Sequence, residues 1–300
     1  MLAHMYPGTT KGELCGLFGN SRQAWYEHQK RHSSKDMQEV FILTLVKELR
    51  KHHKRMGAEK LHFLIAPQLK EHNIKYGRDK FYFLLREHGL LVKRGRRGPR
   101  TTNSNHLYRK YPNRIRDMEL SGPGRLWVSD ITYIRTEKGF VYLSLVTDAY
   151  SKKIVGWCLW PDLTSEGALN ALKMAISGEG VKQNLIHHSD RGIQYCCNDY
   201  VNYLNGSKID ISMTENGDPY ENAIAERVNG ILKDEYELSE TFTHYHQALE
   251  ATKIAVYKYN NKRPHRSINM MVPAEAHQMS GPLKKHWKNR NPKVYVKTGD

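Results

Sequence analysis

The sequence is poor in the features that build disulfides, structural zinc sites and membrane spans. Its four cysteines include no CxxC pair, and the adjacent Cys196 and Cys197 do not readily bridge to each other. His28 and His32 have the spacing of half a zinc site, but no cysteine pair completes it. No stretch approaches the roughly 20 consecutive apolar residues of a membrane span, and the first residues lack the apolar centre of a secretory signal. We therefore predict reduced thiols, no structural zinc and a cytoplasmic location.

Acidic residues are scarce in the first part of the chain. Residues 1–118 hold 25 lysines and arginines against 10 aspartates and glutamates, whereas residues 119–300 hold 22 against 21. Residues 281–300 form a second basic run. A net charge of +16 favours anionic partners, and its segregation predicts that the basic ends hold a polyanion while the near-neutral centre has another task.

Helical patterns occupy the basic first part of the chain. Residues 1–35 are expected to form a short helical segment, a candidate helix-turn-helix, in which Ser21 caps a second short helix. Residues 36–97 are expected to form a helix-turn-helix DNA-binding domain that begins with an amphipathic helix. The buried stripe of that helix is predicted at three-residue steps: Val40, Leu43, Val46 and Leu49.

The last helix of the 36–97 region carries cations where binding to a major groove needs them. Lys80 and Arg86 lie on this helix, and three further arginines follow it: Arg94, Arg96 and Arg97. A helix presented in this way suits a major groove, with the flanking cations on phosphates. The alternative is an ordinary helical bundle with a solvated basic surface, and the segregation of charge favours DNA.

The pattern changes to strands after a basic linker at 98–124, which is rich in Arg, Gly, Pro, Ser, Thr and Asn. Three strands with short links between 126 and 160 predict an antiparallel meander, and the strand and helix alternation that follows is typical of a parallel sheet. We predict that residues 125–277 form an α/β domain with a mixed five-stranded sheet and flanking helices. Residues 278–300 form a basic C-terminal tail.

Two aspartates occupy unusual places in the predicted strands. Asp130 interrupts an apolar strand, where its burial is costly unless a positive or hydrogen-bonding group meets it. Asp190 follows LIHHS at a strand end, where open crevices occur in α/β sheets. Taken alone, each aspartate is more readily interpreted as structural, for example as a turn former or a cap.

A third carboxylate lies on the helix predicted within GDPYENAIAERVNGILKDEY, residues 217–236, with Asp218 as its cap. At ~100° per residue, Glu226 falls nearly opposite the apolar stripe, and Lys233 returns within about 20° of it two turns later. Asn222 lies beside the line that joins Glu226 and Lys233 along the helix surface. Periodicity therefore allows these three side chains to face one ligand, with a solvated helix face as the simpler alternative.

Three stretches in order resemble the signatures of insertion-sequence transposases of the OrfB type, which have a retroviral-integrase-like core. They are WVSDITYI, HSDRGIQY and DPYENAIAERVNGILKDE, and YNNKRPHRSINMMVPAEA at 259–276 resembles the closing motif of the family. Thirty-five residues separate Asp190 from Glu226, and Lys233 follows seven positions after the glutamate, as in the family. The resemblance covers roughly residues 36–277 and implies a ribonuclease-H-like fold for 125–277.

The resemblance implies that Asp130, Asp190 and Glu226 are the catalytic residues and hold two Mg²⁺ or Mn²⁺ ions. Two such ions, about 3.5 to 4 Å apart, serve the attacking and the leaving oxygen of a phosphodiester. They need only hard oxygen ligands, which agrees with the absence of a Cys or His cluster from the sequence.

The resemblance also implies contacts with DNA. Lys233 is expected to contact the backbone near the scissile phosphate, and Asn222 and Arg263 are expected to touch DNA. Residues beside the carboxylates are further candidates, with strand packing and a turn glycine as an equal alternative: Thr132, Tyr133, Gly192, Gln194 and Tyr195.

The implied function is that of a transposase, which binds the ends of a mobile element, exposes a 3′-hydroxyl by hydrolysis and joins it to target DNA. The implied partners are double-stranded DNA, further copies of the chain and a DNA-binding segment from an upstream reading frame. A bacterial protein that associates with the nucleoid is expected. Two alternatives stay open: a non-catalytic DNA-binding protein derived from a transposase, and a ribonuclease-H-like nuclease.

Overall fold

The computed structural model divides the chain into two units, residues 1–93 and 94–300. It describes residues 8–92, 107–116, 118–215 and 222–284, without the side chains of 28, 29 and 31–35. None of the helices in these ranges is long and apolar enough to cross a membrane.

The first unit is all helical, and one helix runs where a boundary was predicted. Its second helix passes through position 35 without a break, because positions 22–52 contain neither Pro nor Gly. Ser21 caps it as predicted, with the Ala24 amide donating to its hydroxyl at 3.0 Å. The helices are α1 (Lys11–Leu17), α2 (Arg22–His52), α3 (Ala58–Glu71) and α4 (Arg78–Glu87).

The core of the first unit joins the second half of α2 to α3 and α4. Ile42 and Val46 are fully buried there, whereas Val40 is 63% exposed, so the stripe predicted at three-residue steps is wrong at Val40. Each step of three residues turns the helix face by ~60°, so four such positions cannot all face one core. Phe81 and Leu85 contribute the buried face of α4.

The second unit is a three-layer α/β structure with a mixed sheet, as the sequence predicts. Its elements are β1 (Leu126–Thr136), β2 (Gly139–Asp148), β3 (Ile154–Trp160), α5 (Ser165–Glu179), β4 (Ile186–Ser189), α6 (Ile193–Cys196), α7 (Asn198–Gly206), β5 (Asp210–Met213), α8 (Ala223–Glu235), β6 (Thr241–Phe242), α9 (Tyr245–Lys262), a 3₁₀ turn (Arg266–Ile268) and α10 (Pro273–Ala276).

The order of the strands in the sheet is β3-β2-β1-β4-β5, with β1, β2 and β3 antiparallel and β1, β4 and β5 parallel. The sixth strand, β6, has only two residues and pairs with the end of β1, and so short a pair has no periodic signature in the sequence.

The sheet opens beside β1. Strand β2 pairs with β1 along its length, whereas β4 pairs only with residues 126–128 and β6 only with 135–136. Between those two pairings, no strand among the described residues covers this edge of β1. The gap leaves room for a cleft next to the middle of the strand.

Helices cover the two faces of the sheet. Helices α5 and α7 pack on one face around Trp127 and Leu172, and α8 and α9 pack on the other around Leu143 and Val228. Gly156 lets α5 approach β3 closely, because a Cβ there would lie 2.1 Å from the carbonyl oxygen of Ala171.

Part of the predicted linker belongs to the second unit. Tyr111 packs against the core beside Trp127, and Ile115, Met118 and Leu120 pack beside Leu126. Apolar residues scattered among the arginines hold the segment to the sheet, which corrects the linker prediction for 107–116 and 118–124. The first residues of the predicted tail also pack back, since the Gly281 amide donates to the Ser121 carbonyl at 2.8 Å.

Candidate active site

An open cleft lies at the gap beside β1. It encloses ≈ 490 Å³ including its mouth, and it is lined by residues 130–133 of β1 and by residues 190 and 192–195 after β4. Asp130 and Asp190, predicted on different strands, therefore meet in one cleft. Among the described residues that line it, the ionisable side chains are two carboxylates and three tyrosine hydroxyls, with no thiol or imidazole.

Asp130 lies in the middle of β1 and points toward α8. Asn229 of α8 donates its amide Nδ2–H to Asp130 Oδ2 at 2.7 Å. Burial, and then the negative charges of Asp190 and Glu226, raise the pKa of Asp130 to about 7, against the opposing hydrogen bond from Asn229. Two carboxylates thus raise this pKa, while the ammonium group of Lys233 interacts with the charge of Asp130.

Asp190 follows the last residue of β4 and begins a tight turn. The amide of Gly192 donates to Asp190 Oδ1 at 3.0 Å. A Cβ at Gly192 would lie 3.0 Å from the same oxygen, so the glycine permits this close approach of backbone to carboxylate. The turn thus holds one oxygen of Asp190 at the cleft.

Helix α8 carries Glu226 along β1. The helix begins at Ala223, and its predicted cap Asp218 lies outside the described residues. Glu226 is exposed and does not line the cleft, but its charge contributes to the raised pKa of Asp130. Among the described residues, no three His, Cys, Asp or Glu side chains are close enough to hold one metal ion.

Two asparagines tie α8 to β1 on the face that carries Glu226. Asn222 is buried and donates to the Ser129 carbonyl at 3.0 Å, and Asn229 holds Asp130. Asn222 therefore makes a structural contact, and its contact with DNA stays a prediction. Asn229 also flanks the line of Glu226 and Lys233 in the sequence, three residues after the first and four before the second, but its bond to Asp130 was not predicted.

Lys233 lies at the rim of the cleft and is half-buried. Its Nζ lies 3.9 Å from the centroid of the Tyr133 ring, a cation–π contact. Burial lowers the pKa of Lys233, while the charges of Asp130 and Asp234 act in the opposite direction. The ammonium group is thus close to both the cleft and its carboxylates.

Arg263, predicted to touch DNA, is buried in this structure. It is 1% exposed, and its guanidinium donates to both oxygens of Glu235 at 2.8 and 2.6 Å. A buried guanidinium with a bidentate partner has a structural role here, which disfavours a phosphate contact, and the contact of Arg263 with DNA stays a prediction.

The two histidines before Asp190 pack inside the sheet. His187 Nε2 lies 2.7 Å from the Ser129 hydroxyl and 2.9 Å from the Tyr200 hydroxyl, and burial lowers the pKa of His187 to about 3. His188 Nδ1 lies 2.9 Å from the Ser212 hydroxyl. Both imidazoles are buried, and neither lines the cleft.

The cations predicted for DNA in the first unit are partly described. Lys80 and Arg86 are exposed on α4, on the solvent side of the helix that buries Phe81 and Leu85. The other three, Arg94, Arg96 and Arg97, lie outside the described residues.

Two family matches cover the second unit. The integrase core domain matches residues 121–219, and a second integrase core domain family matches residues 207–273. Together with the sheet order, these matches identify the unit as ribonuclease-H-like.

Similar proteins are encoded by insertion elements. The chain is 32% identical over 278 residues to the uncharacterized 31 kDa protein of insertion element IS600 from Shigella sonnei, a match that covers 89% of this chain and all of that protein. It is 37% identical over 152 residues to the transposase InsF for insertion sequence IS3A of Escherichia coli strain K12. That match covers 50% of this chain and 53% of InsF.

Solved structures of viral integrases are also similar. The HTLV-2 integrase catalytic core domain in complex with magnesium matches 52% of this chain and 97% of its own, at 18% identity and a TM-score of 0.43. A chain of the simian T-cell lymphotropic virus intasome in complex with PP2A regulatory subunit B56 gamma matches 79% of this chain and 77% of its own, at 16% identity and a TM-score of 0.47.

Proposed function

The chain belongs to the insertion-sequence transposases with an integrase core domain, and we propose that it binds the ends of a mobile DNA element, cuts them by hydrolysis and joins the exposed 3′-hydroxyl to target DNA. The observation that carries this proposal is the shared cleft of Asp130 and Asp190, with the charge of Glu226 acting on the first of them. Mutual repulsion among carboxylates costs stability, and a functional site accounts for that cost.

The donor set of the cleft fits two Mg²⁺ or Mn²⁺ ions. Such ions prefer carboxylate oxygens, and the pKa of Asp130 is raised by burial and then by negative charge that a cation would balance. Asp130 and Asp190 would hold the ions, and Glu226, exposed in the first turn of α8, would complete the set. When bound, the ions would activate the attacking oxygen and stabilise charge on the leaving oxygen.

The remaining residues position these groups and the DNA. Asn229 orients the Asp130 carboxylate, and Gly192 fixes one oxygen of Asp190. Lys233 contributes a positive charge for the backbone next to the scissile phosphate. Lys80 and Arg86 contribute to binding of the element ends by the first unit, together with the arginines that follow α4.

Joining assays on matched variants test the proposal. Asp130→Asn, Asp190→Asn and Glu226→Gln are each expected to lower Mg²⁺-dependent joining of an element-end duplex to target DNA by about 1,000-fold or more, because several kcal/mol of charge stabilisation is lost. Binding of the same duplex, measured by fluorescence anisotropy, is expected to stay largely intact.

The exposed carboxylates Asp199 and Glu250 supply matched controls, since Asp199→Asn and Glu250→Gln leave the cleft unchanged. Normal joining by any of the three site variants contradicts the assignment of that residue. The unaltered chain is also assayed at saturating Mg²⁺ and Mn²⁺ with the upstream-frame product added. If it then binds element ends but does not join them, the result supports the non-catalytic alternative instead.

The proposed partners follow from the reaction. Joining two element ends to one target requires more than one copy of the chain on the DNA, and an upstream-frame segment would add a further DNA-binding surface. The proposed place of action is the bacterial cytoplasm, on nucleoid DNA.

A further inference from the structure

The cleft continues past the carboxylates onto a part of the sheet that carries aromatic rings. Tyr133 of β1 pairs with Tyr142 of β2, and Arg135 pairs with Phe140. Paired residues share a face, and positions two apart along a strand share it too, so these four side chains lie on one face. The same face is packed under α5 and α7 farther along, around Trp127.

The rings on this face remain accessible to solvent. Phe140 is 48% exposed, Tyr133 and Tyr142 are half-buried, and both tyrosines line the cleft. The Tyr133 and Phe140 rings meet edge to face with centroids 5.1 Å apart. Two large apolar side chains on the other side of the cleft are also exposed: Leu163 at 39% and Ile193 at 42%.

Two cations flank these rings. Lys233 Nζ lies 3.9 Å from the Tyr133 centroid, and the guanidinium carbon of Arg135 lies 5.6 Å from the Phe140 centroid. Aromatic faces interleaved with cations are the chemistry by which proteins hold a single nucleic-acid strand, because bases stack on rings while phosphates meet the cations.

We propose that the Tyr133 ring, braced edge to face by Phe140, is an aromatic platform on which an unpaired nucleotide next to the scissile phosphodiester stacks, with Lys233 and Arg135 on the adjoining phosphates. This inference rests on the proposed function, since it assigns the nucleotide to the DNA that is cut and joined.

The ring faces select an unpaired nucleotide rather than a duplex. Bases within a duplex are stacked on one another and present only their edges, so an aromatic face can stack on a base only after that base has left the helix. Because Tyr133 and Asp130 both line the cleft, a nucleotide stacked on Tyr133 would adjoin the phosphodiester held at the carboxylates.

Lys233 links the platform to the phosphate. In the structure its ammonium group covers one face of Tyr133. When a phosphate attracts the ammonium group, that face of the ring becomes available, so backbone binding and base stacking assist each other.

The platform is tested by combining substitutions of the aromatic residues with removal of single bases from the DNA. The probes are element-end duplexes forked so that the nucleotides around the scissile phosphodiester are unpaired, with one abasic residue moved through those positions. In metal-free buffer, the unaltered chain is expected to bind the forked end about tenfold more tightly than the same fork abasic at one position, because stacking contributes roughly 1–3 kcal/mol per base.

Tyr133→Ala is expected to lose about tenfold in affinity for the intact fork and to bind intact and abasic forks equally. Phe140→Ala removes only the brace of that ring and is expected to have a smaller effect in the same direction. Tyr133→Trp retains a stacking face and is expected to keep the sensitivity to the abasic position. Tyr257→Ala removes a 59% exposed aromatic residue outside the cleft and is the matched control, with affinity unchanged.

If the losses of affinity from the ring substitution and from the abasic position simply add, while the chain still binds element ends, the platform is overturned and the proposed function stands. Failure of the unaltered chain to bind element ends would overturn the proposed function and the platform together. Phe140 is exposed enough for its alanine variant to fold, which circular dichroism checks.

Discussion

Two sets of charged residues in the second unit differ in what surrounds them. The closed set comprises Asp148, Glu179 and Glu235, and the cleft set comprises Asp130, Asp190, Glu226 and Lys233. Asp148 and Asp130 lie on neighbouring paired strands. Asp148 is fully buried and accepts hydrogen bonds from the Gly124 amide at 2.7 Å and from the Ser151 amide and hydroxyl at 2.8 Å each.

The other members of the closed set have cationic or imidazole partners. Glu179 accepts from Lys153 at 2.6 Å and lies 2.9 Å from His277 Nε2, and Glu235 holds Arg263. Asp130, in contrast, accepts from the Asn229 side chain and the Ile131 amide, and burial and two acidic neighbours raise its pKa. The carboxylates of the closed set therefore have strong partners supplied by the fold, whereas Asp130 in the cleft set lies beside charges of its own sign.

The largest expected effect is a difference in folding stability between variants of Arg263 and Lys233, the two cations that were both predicted from the sequence to contact DNA. Arg263→Ala leaves Glu235 with a largely buried charge and is expected to lower the free energy of unfolding by about 3–5 kcal/mol. Lys233→Ala loses only a half-exposed cation–π contact, worth about 0.5–1 kcal/mol. Urea denaturation of both variants measures the difference.

Arg263→Met with Glu235→Leu is the control for this comparison, because it removes both charges and is expected to recover much of the stability. If Arg263→Ala leaves stability unchanged and weakens DNA binding instead, Arg263 belongs with the cleft set.

An intermediate effect is expected in the pH dependence of folding stability that Asp130 causes. Its pKa is about 7 in the folded chain and roughly 3.9 in an unfolded chain, so between these values the folded state binds more protons. The stability contributed by protonated Asp130 is present below about pH 4 and is lost as the pH rises to about 7. In metal-free buffer, the stability of the unaltered chain relative to Asp130→Asn is expected to fall by about 3 kcal/mol between pH 4.5 and 7.5.

Denaturation at pH 4.5, 5.5, 6.5 and 7.5 measures this difference, and groups common to both chains cancel. Added Mg²⁺ is expected to stabilise the unaltered chain at pH 7.5 more than the variant, since it balances the ionised carboxylates. Parallel profiles of stability against pH for the two chains would mean that the partners of the Asp130 carboxylate stabilise it as well as those of Asp148 do.

The smallest expected effect concerns the salt dependence of DNA binding. Lys233→Ala removes about one phosphate contact and is expected to lower the slope of log K against log[salt] by about 0.9, which is about threefold between 50 and 200 mM salt. Lys253→Ala, on the exposed side of α9, is the matched control. An unchanged slope together with normal joining would remove Lys233 from the DNA interface.

Much of the second unit was predictable because its signals are local. Alternating β-branched and aromatic residues predicted the three antiparallel strands, and the break in apolar pattern at Asp130 marked a residue that needs a partner. The two-residue strand β6 and the packed segment at 107–120 were missed, since their contacts come from residues far away in sequence. In the first unit, the absence of Pro and Gly signals the unbroken helix α2, whereas the stripe at three-residue steps included the exposed Val40.

The order and spacing of Asp130, Asp190 and Glu226 can be read from the sequence, because motifs and helix periodicity run along the chain. Which polar groups meet depends on the tertiary structure. Asn229 reaches Asp130 across 99 positions, and Arg263 reaches Glu235 across 28. Whether a cation is buried in an ion pair or exposed at a cleft depends on how helices pack on the sheet, and periodicity within one helix carries no information about that packing.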